Sequence, residues 1–274
     1  MKECKHNKYF FNNSIESCKD FNDKYLFRGI SPYEVLRIIE GVPLFFEDHI
    51  DRLMNTLQSK NLEFCFDDIQ LKKNIFDLRK INDITHGNIK LLYNYYKSEK
   101  SCLIYFIQHK YPSIKQYTNG IPLGLFHGVR ENPNAKLINK TLNISAHQEK
   151  LRKNVYEVLL LNNNGNITEG SMSNVFFIKG SILYTPPLES VLPGITRKYI
   201  ISACEDLGIA ILEKEIHSND LEEFDSVFIT STSSKVLPVS TIEKISFDPD
   251  NPILRMIMKE FDKAINFYIG NFNR

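Results

Sequence analysis

The sequence predicts an α+β chain of two unequal units, and three observations carry that reading. Apolar runs of strand length come in pairs with very short connections, as in "GNIKLLYNYYKSEKSCLIYFIQHKY". Other segments place apolar residues on one helical face, as in "GITRKYIISACEDLGI". After the turn-rich "YPSIKQYTNGIPLG" the pattern restarts, which suggests a smaller α+β domain at 1–117, a linker at 118–121 and a larger domain at 122–274.

The first 30 residues are polar and aromatic with weak periodicity and are expected to wrap the surface. "YEVLRIIEGVPLFFEDHIDRL" reads as two strands joined at Glu40-Gly41. A helix follows, capped by Asp48, with Ile50, Leu53 and Leu57 on one face. "LKKNIFDLRKIN" is helical, and the strand pair that follows is connected at Lys97 to Lys100. In the larger domain "NKTLNISAHQEKLRKN" is a helix. Strands with Asn- and Gly-rich turns come next, including a tight turn at Lys179-Gly180. "GITRKYIISACEDLGI" carries Tyr199, Ile200, Ala203, Cys204 and Leu207 on one face and stops at Gly208. The closing helix, "PILRMIMKEFDKAINFYI", turns Ile253, Ile257, Phe261 and Ile265 to a core.

Composition narrows the function. With 34 basic and 33 acidic residues among 274, the net charge of +1 argues against general nucleic-acid or membrane-surface binding. No apolar run approaches the ~20 residues that span a bilayer. Cys4, Cys18, Cys65, Cys102 and Cys204 are scattered without a C-x-x-C pair or a secretory segment ahead of them, so free thiols in a reducing cytoplasm are expected. No metal site is expected.

Several local features point to chemistry, each with a plainer alternative. In "VLPGITR", Gly194, Ile195 and Thr196 stand where a helix begins, so free backbone N–H groups offer an anion site; any helix start after Pro-Gly has this pattern. "FITSTSSKV" ends a strand in hydroxyls from Thr230 to Ser234, which suit a phosphate or simply form a loop. Arg52 lies off the apolar face of its helix, as a solvated arginine does. Lys136 sits between Ala135 and Leu137, where an apolar wall lowers a lysine's pKa and makes it a nucleophile toward carbonyls. Glu169, in "NITEGSMSNVFFIKG", is a lone carboxylate among hydroxyls and amides, a setting equally usual for a solvated turn residue.

Taken together, "ITEGSMSNVFFIKGSILYTPPLESVLPGITR", "AKLIN" and "LEEFDSVFITSTSSKVLPV" resemble the class IV aminotransferases, the fold type IV pyridoxal-phosphate enzymes, from about Tyr33 to Pro238. "FEDHIDRL" is similar to the family's arginine-bearing helix and "YEVLRIIEG" to its opening strand. The resemblance implies a small α/β sandwich domain and a larger domain with a β-barrel-like core and flanking helices. The cofactor, pyridoxal 5'-phosphate, would lie in the cleft between them. Lys136 would form the Schiff base and move the proton, and Glu169 would meet the pyridine nitrogen, keeping it protonated. Arg52, the backbone of Ile195 and Thr196, and the hydroxyls of Ser231 and Thr232 would hold the phosphate. Ser173, Asn174 and Leu192 would line the cofactor pocket, and Tyr33 the substrate side.

Departures bear on the substrate. The branched-chain enzymes of the family it resembles usually carry a longer K-x-x-x-N-Y stretch and an E-G-x-G-x-N block, whereas this chain has Lys136-x-x-Asn139 and Glu169-Gly-Ser-Met-Ser-Asn174. It looks more like the D-amino-acid aminotransferase and aminodeoxychorismate lyase branch. The D-amino-acid enzymes trap the substrate carboxylate with an Arg-x-His loop, which here has shrunk to "KSEK"; Lys90, Lys97 and Tyr96 are candidate replacements. The lyases often carry an Asn-containing loop where this chain has "TSTS". The expected function is amino transfer between an amino acid and a 2-oxo acid in a cytoplasmic homodimer. A lyase releasing pyruvate from 4-amino-4-deoxychorismate ranks second, and a non-catalytic binding module of the same fold third.

Overall fold

The computed structural model describes residues 3–64 and 67–272. It divides into two compact units, Met1–Lys110 with Ala135–Ile138 and Asn266–Arg274, and Tyr111–Asn134 with Asn139–Ile265.

The first unit is built on a six-stranded sheet. β1 (Cys4–Phe11) and β2 (Ser14–Ser17) form its first hairpin. β3 (Tyr33–Ile39) turns into β4 (Val42–Pro43) at Glu40 and Gly41, which have φ of 51° and 79° as a type I′ turn requires. α1 (Phe46–Ser59) and α2 (Asp68–Ile81) follow, then β5 (Gly87–Tyr96) and β6 (Glu99–Ile107), which leave only Lys97 and Ser98 between them. The strand order is β2-β1-β6-β5-β3-β4.

Period-2 alternation gives this sheet two distinct faces. Leu36 and Ile38 of β3, Ile89, Leu91 and Tyr93 of β5, and Ile104 and Phe106 of β6 pack with Ile50, Leu53 and Leu57 of α1 and Leu71, Ile75 and Leu78 of α2. Each such buried aliphatic side chain contributes about 1.5–3 kcal/mol. The other face carries Tyr33, Leu92, Leu103 and Tyr105, covered by Tyr9, Phe21 and Leu26 from the first 30 residues.

Those first residues therefore do not merely wrap the surface. Lys5 and Phe10 bracket a bulge in the pairing of β1 with β6, and His6 has φ of 68°, so the alternation that marks a strand is broken in the sequence. The same hairpin brings Cys4 and Cys18 together as a disulfide with a Cα–Cα separation of 6.0 Å, where free thiols were expected. The pairing depends on chain reversal, which no cysteine spacing announces. Cys204 is a buried free thiol, Cys102 is buried, and Cys65 lies outside the described residues. Asp48 is not the cap of α1 either: Phe45, in the left-handed region, holds that position without a side-chain bond, and Asp48 stands in the first turn.

The second unit opens with α3 (Ile114–Asn119), a short helix within the stretch read as turns, started by a Ser113–Gln116 capping box. Then come β7 (Ile121–His127), α4 (Lys140–Lys153), β8 (Glu157–Leu161), β9 (Asn166–Gly170), β10 (Asn174–Lys179) and β11 (Ile182–Thr185). α5 (Ile195–Leu207), β12 (Ile211–Glu213), β13 (Ile216–His217), β14 (Ser226–Ser231), β15 (Lys235–Ile242), β16 (Ile245–Ser246) and α6 (Pro252–Asn271) complete the chain. The strands β12-β11-β10-β14-β15-β7-β8-β9-β13 form one curled sheet, with β16 on β15. Leu123, Leu159, Val175, Phe177, Ile229 and Leu237 fill its core. On α6 the buried positions are Leu254, Ile257, Phe261 and Ile265, so Leu254 takes the place expected for Ile253. Among the described residues no helix is long and apolar enough to cross a membrane.

Candidate active site

In the first unit the site is built on β3, α1 and the four residues 135–138. Pro32 bridges Leu137, the Tyr33 amide donates to the Lys136 carbonyl at 3.0 Å, and the Ile138 amide donates to the Ser31 carbonyl at 3.1 Å. The Lys136 amide donates to Thr56 Oγ1 on α1 at 3.2 Å. Lys136 is thus fixed by its backbone from both sides, and its Nζ stands 5.1 Å from the centre of the Tyr33 ring.

His49, Arg52 and Thr56 share one face of α1, as the i, i+3 and i+7 spacing requires. Glu34 on β3, fully buried, gathers the first two. Arg52 donates to both its oxygens through Nε and Nη2, each at 2.7 Å, and His49 Nδ1 lies 2.7 Å from Oε2. A carboxylate only accepts, so Nδ1 carries the proton. Burial pushes the Glu34 carboxyl up, but Arg52 and His49 outweigh it and hold the group well below the usual carboxylate range. Burial lowers the pKa of His49 against the pull of Glu34, which favours the neutral ring. Arg52, expected as a solvated side chain or a phosphate ligand, is buried and aimed by this forked pair.

In the second unit Glu169 is the penultimate residue of β9 and is 2% exposed. Its Oε1 accepts from Arg130 Nε at 2.7 Å and its Oε2 from the Leu192 amide at 3.1 Å. Asn174 Nδ2 donates to the Leu192 carbonyl at 2.9 Å and lies 3.5 Å from Glu169 Oε2. Glu169, Asn174 and Leu192 therefore form one network. Ser173 donates to Glu157 Oε1 at 3.1 Å, and the Met172 amide donates to the same oxygen at 2.6 Å, so Glu157 shapes the loop after Glu169. Burial pushes the Glu157 carboxyl up.

Gly194 precedes α5, and a Cβ there would run into Asn174 Oδ1. Ile195 and Thr196 begin the helix with no side-chain cap, so their backbone N–H groups remain in the orphan positions of a first turn. Thr230, paired with Asn174 across β14 and β10, has a buried Oγ1 with no hydrogen-bond partner among the described residues. Ser231 follows on the same strand, and its hydroxyl is 2.7 Å from that of Ser234. Thr232 stands in the turn to β15, half-buried. Gly194→Ala is expected to push Asn174 off Glu169 and Leu192 and destabilise the fold by about 1–3 kcal/mol. A thermal melt checks this, with a loss of roughly 2–4 °C per kcal/mol.

Residues 31–242 match the family model described as amino-transferase class IV. The chain belongs to the class IV aminotransferases. It is 28% identical over 246 residues to a D-alanine aminotransferase of Bacillus licheniformis, covering 83% of this chain and 84% of the relative. It is also 28% identical over 245 residues to an aminodeoxychorismate lyase of Bacillus subtilis, covering 83% and 82%. Among solved structures, the branched-chain amino acid aminotransferase of Escherichia coli superimposes with a TM-score of 0.86 at 23% identity, covering 95% of each chain.

Class IV aminotransferases depend on pyridoxal phosphate. Each unit by itself holds residues that suit that group in kind: in the second, an uncapped helix start beside a glycine that admits close approach, a buried hydroxyl without a partner among the described residues and an ion-paired buried carboxylate; in the first, a lysine amine against an aromatic ring. Sequence reading missed Glu34, His49, Thr56, Arg130 and Glu157. The spacing of "DHIDRL" held a signal for His49, since it shares a helix face with Arg52. Arg130, in the loop "HGVRENPNAK", had none.

Proposed function

We propose that this class IV aminotransferase transfers an amino group between an amino acid and a 2-oxo acid, with Lys136 as the amine that carries pyridoxal phosphate. The observation behind the reading is the placement of Lys136, its backbone held by Tyr33 and Thr56 while Nζ stands against the Tyr33 ring. When bound, the cofactor supplies an electron sink for charge developing at the substrate α-carbon. Lys136 Nζ moves the proton taken from that carbon. Glu169, ion-paired with Arg130, places negative charge at the ring nitrogen and favours its protonated form. The amides of Ile195 and Thr196, the hydroxyls of Ser231 and Thr232, and Arg52 hold the phosphate. Ser173, Asn174 and Leu192 line the pocket, and Tyr33 walls the substrate side.

The test supplies D- and L-amino acids with pyruvate or 2-oxoglutarate and, separately, 4-amino-4-deoxychorismate. Amino transfer in the first assay is expected. Pyruvate release from the second substrate without amino transfer in the first would assign the lyase reaction instead. The working form we propose is a cytoplasmic homodimer, as the family resemblance implies; sedimentation at the mass of a single chain would contradict it.

A further inference from the structure

We propose that Lys90 and Tyr105 form a binding site for a substrate carboxylate, and that Glu3 occupies this site until the substrate displaces it. This inference rests on the aminotransferase reading above. An amino acid and its 2-oxo acid both carry a carboxylate, yet the β5–β6 connection, Lys97-Ser98, supplies neither arginine nor histidine.

Lys90 is 7% exposed, in the middle of β5, paired with Val35 of β3 on one side and Tyr105 of β6 on the other. Buried lysines are rare unless paired. Its Nζ donates to Glu3 Oε1 at 2.8 Å, and the Tyr105 hydroxyl donates to Glu3 Oε2 at 2.7 Å. Two buried donors thus meet the two oxygens of one carboxylate, a geometry that fits any carboxylate. Burial, then Glu3, raises the Tyr105 phenol well above its ordinary value, so it remains a donor at neutral pH.

The site shares a wall with the reactive amine. Lys90 Nζ stands 4.7 Å from the centre of the Tyr33 ring, the ring that Lys136 Nζ approaches at 5.1 Å. Glu3 lies ahead of β1, and its side chain is 31% exposed against 8% for Lys90. The carboxylate is the accessible partner and the ammonium the fixed one. Glu3 therefore keeps a buried cation compensated in the substrate-free protein, and it leaves more readily than Lys90 can move.

A tethered carboxylate competes at an effective concentration of order millimolar. In the cofactor-loaded full chain, Glu3→Gln is expected to bind isovalerate, a carboxylate without an amino group, about three- to tenfold more tightly by calorimetry. KM for the amino acid should fall in parallel, by more than kcat changes. Tyr105→Phe and Lys90→Met should weaken isovalerate about tenfold or more, and Lys90→Arg should restore much of the binding. Equal isovalerate affinity in the wild type and Glu3→Gln, or unchanged affinity in Tyr105→Phe, would overturn the proposal. If Lys90→Met fails to fold, those two variants still decide. Amino transfer without any isovalerate effect defeats this inference alone, whereas tighter isovalerate binding without amino transfer defeats the aminotransferase reading and leaves the carboxylate site standing.

Discussion

Lys136→Ala is expected to abolish amino transfer, with kcat falling by at least about 10^4-fold, the upper range for a positioned acid–base group, because the covalent attachment is lost as well. The fold should survive, since the contacts that place this residue run through its backbone: the carbonyl accepts from Tyr33 and the amide donates to Thr56. Borohydride reduction followed by peptide mapping provides the check. In the wild type the cofactor mass should appear on the peptide containing Lys136, and in the variant on none. Retention of the mark elsewhere with full activity would move the nucleophile to another lysine.

Glu34→Gln is expected to cost about 3–5 kcal/mol of stability, because it removes the negative partner from a buried arginine. An amide offers one acceptor and turns N–H donors toward Arg52 and His49, which need acceptors. The pH dependence follows from the directions of the shifts. The folded-state pKa of Glu34 lies below its ordinary 4.5, so its contribution is complete above that value and is lost as the pH falls beneath it. The pKa of His49 is lowered from 6.5, so the unfolded chain takes up its proton first and acid destabilises the fold from about that pH downward. Urea midpoints should therefore fall as the pH drops from neutral into the acid range in the wild type. Below the ordinary carboxylate pKa the Glu34→Gln variant should show a shallower decline, having no carboxylate at that position to protonate. An identical pH profile in both proteins would show that Glu34 does not carry the acid sensitivity.

The parts of this protein that were legible in the sequence are those where local rules and tertiary demands agree. α5 shows its period in Ile200 and Cys204 and its stop at Gly208, which adopts φ of 68°. The β3–β4 turn is announced by Glu40-Gly41. The family matched over residues 31–242 follows the long motif that surrounds Glu169 and Gly194. The first 30 residues misled because a bulge disrupts their alternation and because Tyr9, Phe10 and Phe21 are buried by strands about 90 residues later in the chain. Arg130 was invisible for a related reason. A loop arginine gains meaning only from its partner, here a carboxylate 39 residues away. The sequence also gives no sign that Lys90, one of many lysines, is buried against a carboxylate from the chain's start.

The four residues 135–138 belong with the first unit although the chain on both sides of them belongs to the second. A fragment cut near Tyr111-Pro112 would take β3 and α1 but leave behind the lysine they hold, and the complementary fragment would carry the lysine without its mould. Neither half is a miniature of the enzyme. Protein engineers who wish to graft new specificities onto this chain should therefore transplant 135–138 and 266–274 with residues 1–110. Hydrogen exchange should show the same division in time: the Lys136 and Ile138 amides are expected to open together with β3, rather than with the loop and helix that flank them in the sequence.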